Sequence, residues 1–425
     1  MSRKRNIERV ETLSEVKESN SAAPINPLTF KEIVSIIKSK NAAKLRQMFE
    51  KGLITDVNMR QEAWPRLTLL LAACIEDSVD CVNVFYDYKA DINILDDMEN
   101  NALMCACHSG SVEMVKFILT HSNISLSELN WMHEDVTCIA VKFGHLEVLK
   151  YILKGTDRES VCQDNLNQAL GYACVYDRLD FVMYLVEIGA DINDTIDMHS
   201  RSTPLKVAIG HSSVNIIEYL LDHGADMSGN KGIKLIKYAC SRNRPATVEL
   251  LLKRGIDPNA TEEVEEVGGE GEEEEEEEER LQYRDNSSIL AYARHNNRIT
   301  HILIEYGADP CTEYAGGSTV LLDTVKLACT KKPAMDTVIL LLHRGANVNT
   351  VHNHTGESPL MIAATTPHVE LVRLLLVHGA DVTHKNRAGT CVLDTLGRTR
   401  TGKEVAEICK QYIDTNIPRD KAILK

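Results

Sequence analysis

Few residues in this chain could do chemistry, and they are scattered. His352-Asn353-His354 could offer a metal two imidazole nitrogens from one turn, but a metal site needs further donors at ligand spacing. No Cys or carboxylate cluster stands beside the pair, so the simpler reading is two solvated turn histidines. Cys105 and Cys107 form a Cys-x-Cys pair inside a segment with helical apolar spacing. A separation of two puts the thiols on different helix faces, which fits core packing better than metal binding. Gly316-Gly317-Ser318-Thr319 lacks the lysine of a phosphate-cradling loop. A Glu-rich run after Thr261 could gather Ca²⁺ diffusely, but it has neither spaced ligands nor a fixed turn. No nucleophile elbow or kinase signature is present. The expectation is a chain with no catalytic residue, no cofactor, no metal and no enzymatic activity.

The elements that would position any functional side chain repeat along the chain. From Thr355 to Val382 the sequence reads TGESPLMIAATTPHVELVRLLLVHGADV. Ser358-Pro359-Leu360 opens a short helix, with Pro where an orphan N–H costs nothing. Ile362, Ala363 and Ala364 are small enough for close helix contact. After a break at Thr366-Pro367, Leu371, Val372, Leu374, Leu375 and Leu376 form an apolar stripe at helical spacing. Gly379 sits where a left-handed helix cap is wanted. One such unit cannot bury its own apolar faces and needs copies on either side.

The small-residue slot held by Ala364 recurs at Cys74, Cys107, Val141, Cys174, Ile209, Cys240, Arg294, Cys329 and, after it, Leu396. The intervals are 33, 34, 33, 35, 31, 54, 35, 35 and 32 residues. Turn elements recur with them: Ala90 to Asn93, Ala190 to Asn193, Gly224 to Asp226, Gly255 to Asn259, Gly307 to Asp309, Gly345 to Asn349 and Gly379 to Asp381. Period, helix pair and turn resemble the ankyrin repeat family over residues 64 to 396. The resemblance implies an all-α fold, an ankyrin-repeat solenoid of stacked helix-turn-helix units with short hairpin turns. The family usually has His at the fourth place of its Thr-Pro-Leu-His motif. Here that place carries other residues, among them Leu71, Met104, Lys206, Lys237, Lys326 and Met361. Losing those hydrogen bonds should lower stability without threatening the fold.

The resulting organisation is a polar N-terminal tail (1–27), a degenerate capping repeat (28–63), a first block of repeats (64–260), an acidic insert (261–280), a second block (281–384), a C-terminal capping repeat (385–415) and a short tail (416–425). The 54-residue interval marks the insert, whose charge and glycines forbid packing. It carries thirteen Glu and one Arg, a net −12 of the chain's −15, so the remaining 405 residues are nearly neutral. No broad basic field exists to hold nucleic acid. No run approaches 18 apolar residues, so no membrane span is expected. The N-terminus has no apolar signal-peptide core. Its SRKR quartet reads either as a solvated basic start or as a nuclear signal. Five of the twelve Cys fall in the buried slot, where free Cys packs as a small hydrophobe. A reducing compartment follows, so the expected location is the cytoplasm, with the nucleus left open.

What the resemblance implies for function is protein binding by a monomer, through the concave face and turn tips. At ~8–10 Å between packed helices, ten units would span roughly 100 Å. The alternative is a substrate-recognition subunit of an enzyme assembly such as a ubiquitin ligase. A helical box outside the stack would distinguish the two. The turns at 120–134 and 154–166 depart from the repeat pattern, either by drift or because they form a contact region. Trp131 and Met132 are then the best anchors, since aromatics are enriched at hot spots; the alternative for Trp131 is a core plug. The turn residues Asp197, His199, Arg201, Tyr314, His352, His354 and Arg387 are the other candidate contacts. The Glu-rich insert could steer a basic segment of a partner, and deleting it should leave the melting temperature unchanged or slightly raised. Ankyrin turn asparagines are recognised substrates of an asparaginyl hydroxylase, which makes Asn193 and Asn259 candidate acceptors. The simpler role for them is bonding their own turn backbone.

Overall fold

The computed structural model describes residues 27–155, 162–196, 202–211, 213–262, 288–293, 296–314, 317–329, 334–365, 368–396 and 400–416. The chain divides into two compact units, 1–161 and 162–425.

Unit 1 is four helix pairs. These are α1 (Phe30–Lys38) with α2 (Ala42–Glu50), α3 (Leu69–Ile75) with α4 (Val79–Asp87), α5 (Ala102–Ser109) with α6 (Val112–His121), and α7 (Val136–Phe143) with α8 (Leu146–Gly155). First helices stack on first helices, α1 on α3 on α5 on α7, and second helices on second helices. The apolar spacing dictates this. Leu69 to Cys74, Ala102 to Cys107 and Val136 to Val141 are buried almost throughout, because a first helix is covered both by its own partner and by its neighbours. The second helices bury one stripe each, such as Met114, Val115 and Ile118. Each first helix has a side-chain cap: Thr68, Asn101 and Asp135 accept the N–H of Leu71, Met104 and Cys138.

Unit 2 repeats the arrangement. Its first helices are α9 (Gln163–Val175), α11 (Pro204–His211), α13 (Asn230–Ser241), the single turn α15 (Ile289–Tyr292), α17 (Val320–Ala328), α19 (Pro359–Thr365) and α21 (Val392–Thr395). Its second helices are α10 (Leu179–Glu187), α12 (Val214–Asp222), α14 (Pro245–Lys253), α16 (Asn297–Glu305), α18 (Ala334–His343), α20 (Val369–Val377) and α22 (Arg400–Asn416). Strand is confined among the described residues to two-residue β1 (Glu313–Tyr314) and β2 (Ser318–Thr319), paired antiparallel in one finger, and to isolated bridges such as Arg60 with Thr68.

The acidic insert lies mostly outside the described residues, but its two flanks are joined. α13 packs on α15 and α14 on α16. Asn259 donates through Nδ2 to the Gly307 carbonyl at 2.9 Å and accepts the Asp309 N–H at 2.7 Å. The repeats on either side of the insert therefore stack directly.

The predicted pattern at Gly379 is observed. Its φ is +89°, and the N–H groups of Gly379 and Ala380 return to the Leu376 and Leu375 carbonyls. All twelve Cys are free, and Cys105 and Cys107 are both buried. Burial alone pushes the Cys74 and Cys240 thiols up to about 12, so these slots are apolar filler rather than nucleophiles. Cys329, expected in the same buried slot, is only half-buried. The break at Thr366-Pro367 lies outside the described residues.

Candidate interaction surface

Each finger is built by a turn that ends on a helix cap. Asp96, Asn130 and Asn386 stand five residues before the N-caps Asn101, Asp135 and Cys391. The side-chain oxygen of each takes the N–H of the residues two and four further on, at 2.8–3.1 Å. An Asx side chain standing in for backbone in this way fixes a tight loop. The three residues that follow form the tip, the third with positive φ: Glu99 at 61°, His133 at 57° and Gly389 at 78°. The finger before Thr68 has the same course, with Arg66 at 48° in that third position.

This register aligns the tips. Four residues before the cap stand Trp64, Asp97 and Trp131 in unit 1, and His354 and Arg387 in unit 2. Adjacent tips are bonded through backbone. Asp97 N donates to Pro65 O and Trp131 N to Met98 O, both at 2.9 Å, and Arg387 N donates to Thr355 O at 3.1 Å. Trp131 is therefore held by its backbone while its ring points outward. It is 68% exposed, as is Trp64, and Met132 is 45% exposed. The core-plug alternative for Trp131 does not hold, because its side chain stands in solvent. An aromatic side chain buries 150–250 Å² when covered, so each exposed indole forgoes about 3 kcal/mol of burial. Beside the first finger lies a recess of ≈ 410 Å³ between α1 and α3, lined by Phe30, Val34, Leu67 and Ile75 with Lys31 and the Lys38–Glu76 ion pair at its rim.

Polar groups under the fingers are satisfied. Glu134, 3% exposed, accepts from Lys142 at 2.6 Å and from Asn130 at 3.1 Å. Asn101, besides capping α5, donates to Glu128 at 2.8 Å. Arg66 is neutralised by Asp97 at 2.9 Å.

The other candidates are dispersed. His352 Nδ1 accepts the His354 N–H at 3.3 Å and so serves its own turn. No group of three or more His, Cys, Asp or Glu able to hold a metal occurs among the described residues. Arg387 is exposed at its tip. Asp197, His199 and Arg201 lie outside the described residues, and of Tyr314 only the backbone, paired in β1, is described. Asn193 and Asn259 do more than bond their own turns. Asn193 Nδ2 donates to Gly224 O at 3.0 Å and its Oδ1 accepts Asp226 N at 2.8 Å, as Asn259 does with Gly307 and Asp309. They staple each turn to the next.

One charged residue proves structural. Lys237 fills the family's histidine place on α13, is fully buried, donates to Glu262 at 2.7 Å and lies 5.3 Å from the centroid of the Tyr292 ring. Glu262 lies at the start of the insert, its last described residue, and Tyr292 follows the insert. The ammonium thus ties both flanks of the insert to one point.

Two contacts escaped the sequence reading. Trp64 stood at the start of the first block of repeats, and Glu99 was not among the candidates. Counting back from the caps Thr68 and Asn101 is the signal that aligns both with the finger of Trp131.

Comparison with known proteins agrees with this fold. The family model for ankyrin repeats (3 copies) matches residues 35–130, 123–196, 194–262 and 325–399. The chain belongs to the ankyrin repeat family. It is 26% identical over 198 residues, 45% of this chain, to ankyrin repeat and KH domain-containing protein mask-1 of Caenorhabditis elegans, and covers 7% of that protein. It is 26% identical over 182 residues to the potassium channel AKT2/3 of Arabidopsis thaliana, 43% of this chain and 22% of the channel. Over 90 residues, 21% of this chain, it is 34% identical to human ankyrin repeat and SOCS box protein 11, and covers 26% of it. The chain thus spans about a quarter or less of the length of these three relatives. Ankyrin repeats generally mediate protein–protein interaction, and the family match is to no enzymatic family. No helix among the described residues is long and apolar enough to cross a membrane.

Proposed function

We propose that this chain is a non-enzymatic, monomeric protein-binding module that engages its partner through the finger tips of unit 1. One observation carries the reading: Trp64 and Trp131, the chain's two tryptophans, hold equivalent tip positions and are both 68% exposed. Exposed aromatics on rigid backbone are what binding hot spots are made of, and nothing in the fold needs them there. A photo-crosslinking residue at position 131 should capture a partner that the same residue at position 377 does not. Val377 is 82% exposed on α20 and serves as the apolar control. Equal capture at both positions would remove the reading.

The substrate-receptor alternative draws on the similarity to the SOCS box protein. α22 itself packs on α20 and buries Val405 and Cys409, so this helix belongs to the stack and is not such a box. Hydroxylation of Asn193 or Asn259 is a separate proposal. Both amides are engaged with the next repeat, so a hydroxylase must first free the turn. A +16 species on these turns in intact-peptide mass spectrometry would support it, and its absence would end it.

A further inference from the structure

We infer that the unit 1 finger row docks a basic, extended polypeptide segment, with one Lys or Arg side chain over each of Trp64 and Trp131. The inference rests on the reading of the fingers as the binding surface and specifies what occupies them.

Charge decides the chemistry. The three fingers (residues 60–68, 93–101 and 124–135) hold seven carboxylates and two arginines. Asp97 is spent on Arg66 and Glu134 on Lys142. Glu62, Glu99 and Glu128 remain exposed, as does Arg60, with no ion-pair partner among the described residues, which leaves the row a net acidic surface. The backbone brings Glu62 and Glu99 each near a tryptophan. Glu62 is two residues before Trp64, and Glu99 follows Met98, whose carbonyl receives the Trp131 N–H. A cation placed over an indole face is attracted by the ring, and the neighbouring carboxylate adds to that attraction. An apolar occupant would strip water from Glu62 and Glu99 without replacing it. An acidic occupant would be repelled.

Spacing decides the shape. Neighbouring tips are bonded through backbone, so the row is fixed. Helices stacked ~10 Å apart put the two indoles, two repeats apart, at roughly 20 Å. An extended chain rises 3.3–3.4 Å per residue, so its two basic residues stand about six apart. Six is even, so both side chains leave the same face of the strand.

Intrinsic fluorescence reads both tips directly, since the chain has two tryptophans. The full chain is titrated with a Ser/Thr-rich peptide carrying Arg at positions i and i+6. Control peptides carry Arg at i and i+3, Leu at both positions, or Glu at both. The i,i+6 Arg peptide should change the emission and bind about tenfold more tightly than the Leu peptide or the i,i+3 peptide. Binding should weaken as salt rises. Trp64→Ala and Trp131→Ala should each weaken it about tenfold, and Glu62→Gln with Glu99→Gln should weaken it several-fold. All four side chains are exposed, so circular dichroism should show the fold intact. Leu binding as tightly as Arg would overturn the basic occupant in favour of an apolar one. A doubled mass in sedimentation, lost in Trp131→Ala, would overturn it in favour of a second copy. Silence of every basic peptide, while the crosslinker at 131 still captures a partner, would sink the occupant but spare the surface. Failure of both experiments would sink the surface too.

Discussion

Unit 1 and unit 2 use one backbone device for two ends. At the same tip position, among the described residues, unit 1 carries Trp64, Asp97 and Trp131, while unit 2 carries His354 and Arg387. The turns differ the other way. In unit 2, Asn193, Asn259 and Asn349 each make two bonds to the next repeat. In unit 1, Asn58 makes one such bond, to Asp91 N. Lys89 there takes the place that Gly189, Gly224 and Gly255 hold in unit 2, at a φ of +64°. Unit 1 thus exposes apolar surface on its fingers, and unit 2 invests its turns in joints. A repeat backbone tolerates both because the exposed tip rings add little to the stack, while turn side chains close it.

The largest test of this contrast is at the insert. Glu262→Ala leaves the Lys237 ammonium buried without its carboxylate, which should cost about 3–5 kcal/mol, lost from unit 2 with unit 1 protected in hydrogen exchange. Replacing both partners, Lys237→Met with Glu262→Gln, should be close to neutral, since apolar or uncharged groups replace a buried ion pair at little cost. Equal losses in the two variants would mean that the ion pair is not what holds the joint. The same logic revises the expectation for removing the insert. Deleting 261–280 takes Glu262 with it and should lower the melting temperature, whereas a deletion that begins at 263 should not.

Next in size are the staples. Asn259→Ala removes two exposed bonds and should cost about 1–2 kcal/mol, against about 1 kcal/mol or less for Asn58→Ala, both read by chemical denaturation. A larger loss at Asn58 would reverse the comparison. In the opposite direction, Lys89→Gly relieves a left-handed lysine and should stabilise unit 1 by up to ~1 kcal/mol. No gain in denaturation midpoint would mean that the strain is absorbed elsewhere. The smallest effect is acid sensitivity. Lys231, then Ser228, hold the Asp226 carboxylate well below its ordinary value, and Thr383 lowers Asp381. A depressed carboxylate stabilises the folded chain above its unfolded value of 3.8, and that stability drains as pH falls below it. The acid limb of the melting curve should therefore flatten in Asp226→Asn. An unchanged limb would place acid sensitivity in other groups.

The helical repeat was legible because burial imposes a period. A first helix covered by neighbours on both sides must be apolar and small throughout, and Ala173-Cys174 or Ala363-Ala364 can be counted from any copy. The absence of His from its usual place was also legible, but its consequence was not. Lys237 read as a lost hydrogen bond, and only folding brings Glu262, 25 residues away, to within 2.7 Å of it. The asparagines read as local turn residues, whereas Asn259 bonds across a 50-residue separation.

The sequence by itself determined the helix pairs, their period and the place of the insert, because those follow from the spacing of apolar residues and turn formers within some 33 positions. The tertiary structure alone decided which residues in equivalent places are exposed and how their tips are joined. Trp64 and Trp131 stand 67 positions apart, two repeat intervals of 33 and 34, so spacing puts them in equivalent places, but folding is what leaves both rings in solvent. Caps fix each finger's register, backbone bonds join one finger to the next, and stacking turns a separation along the chain into two steps along one edge.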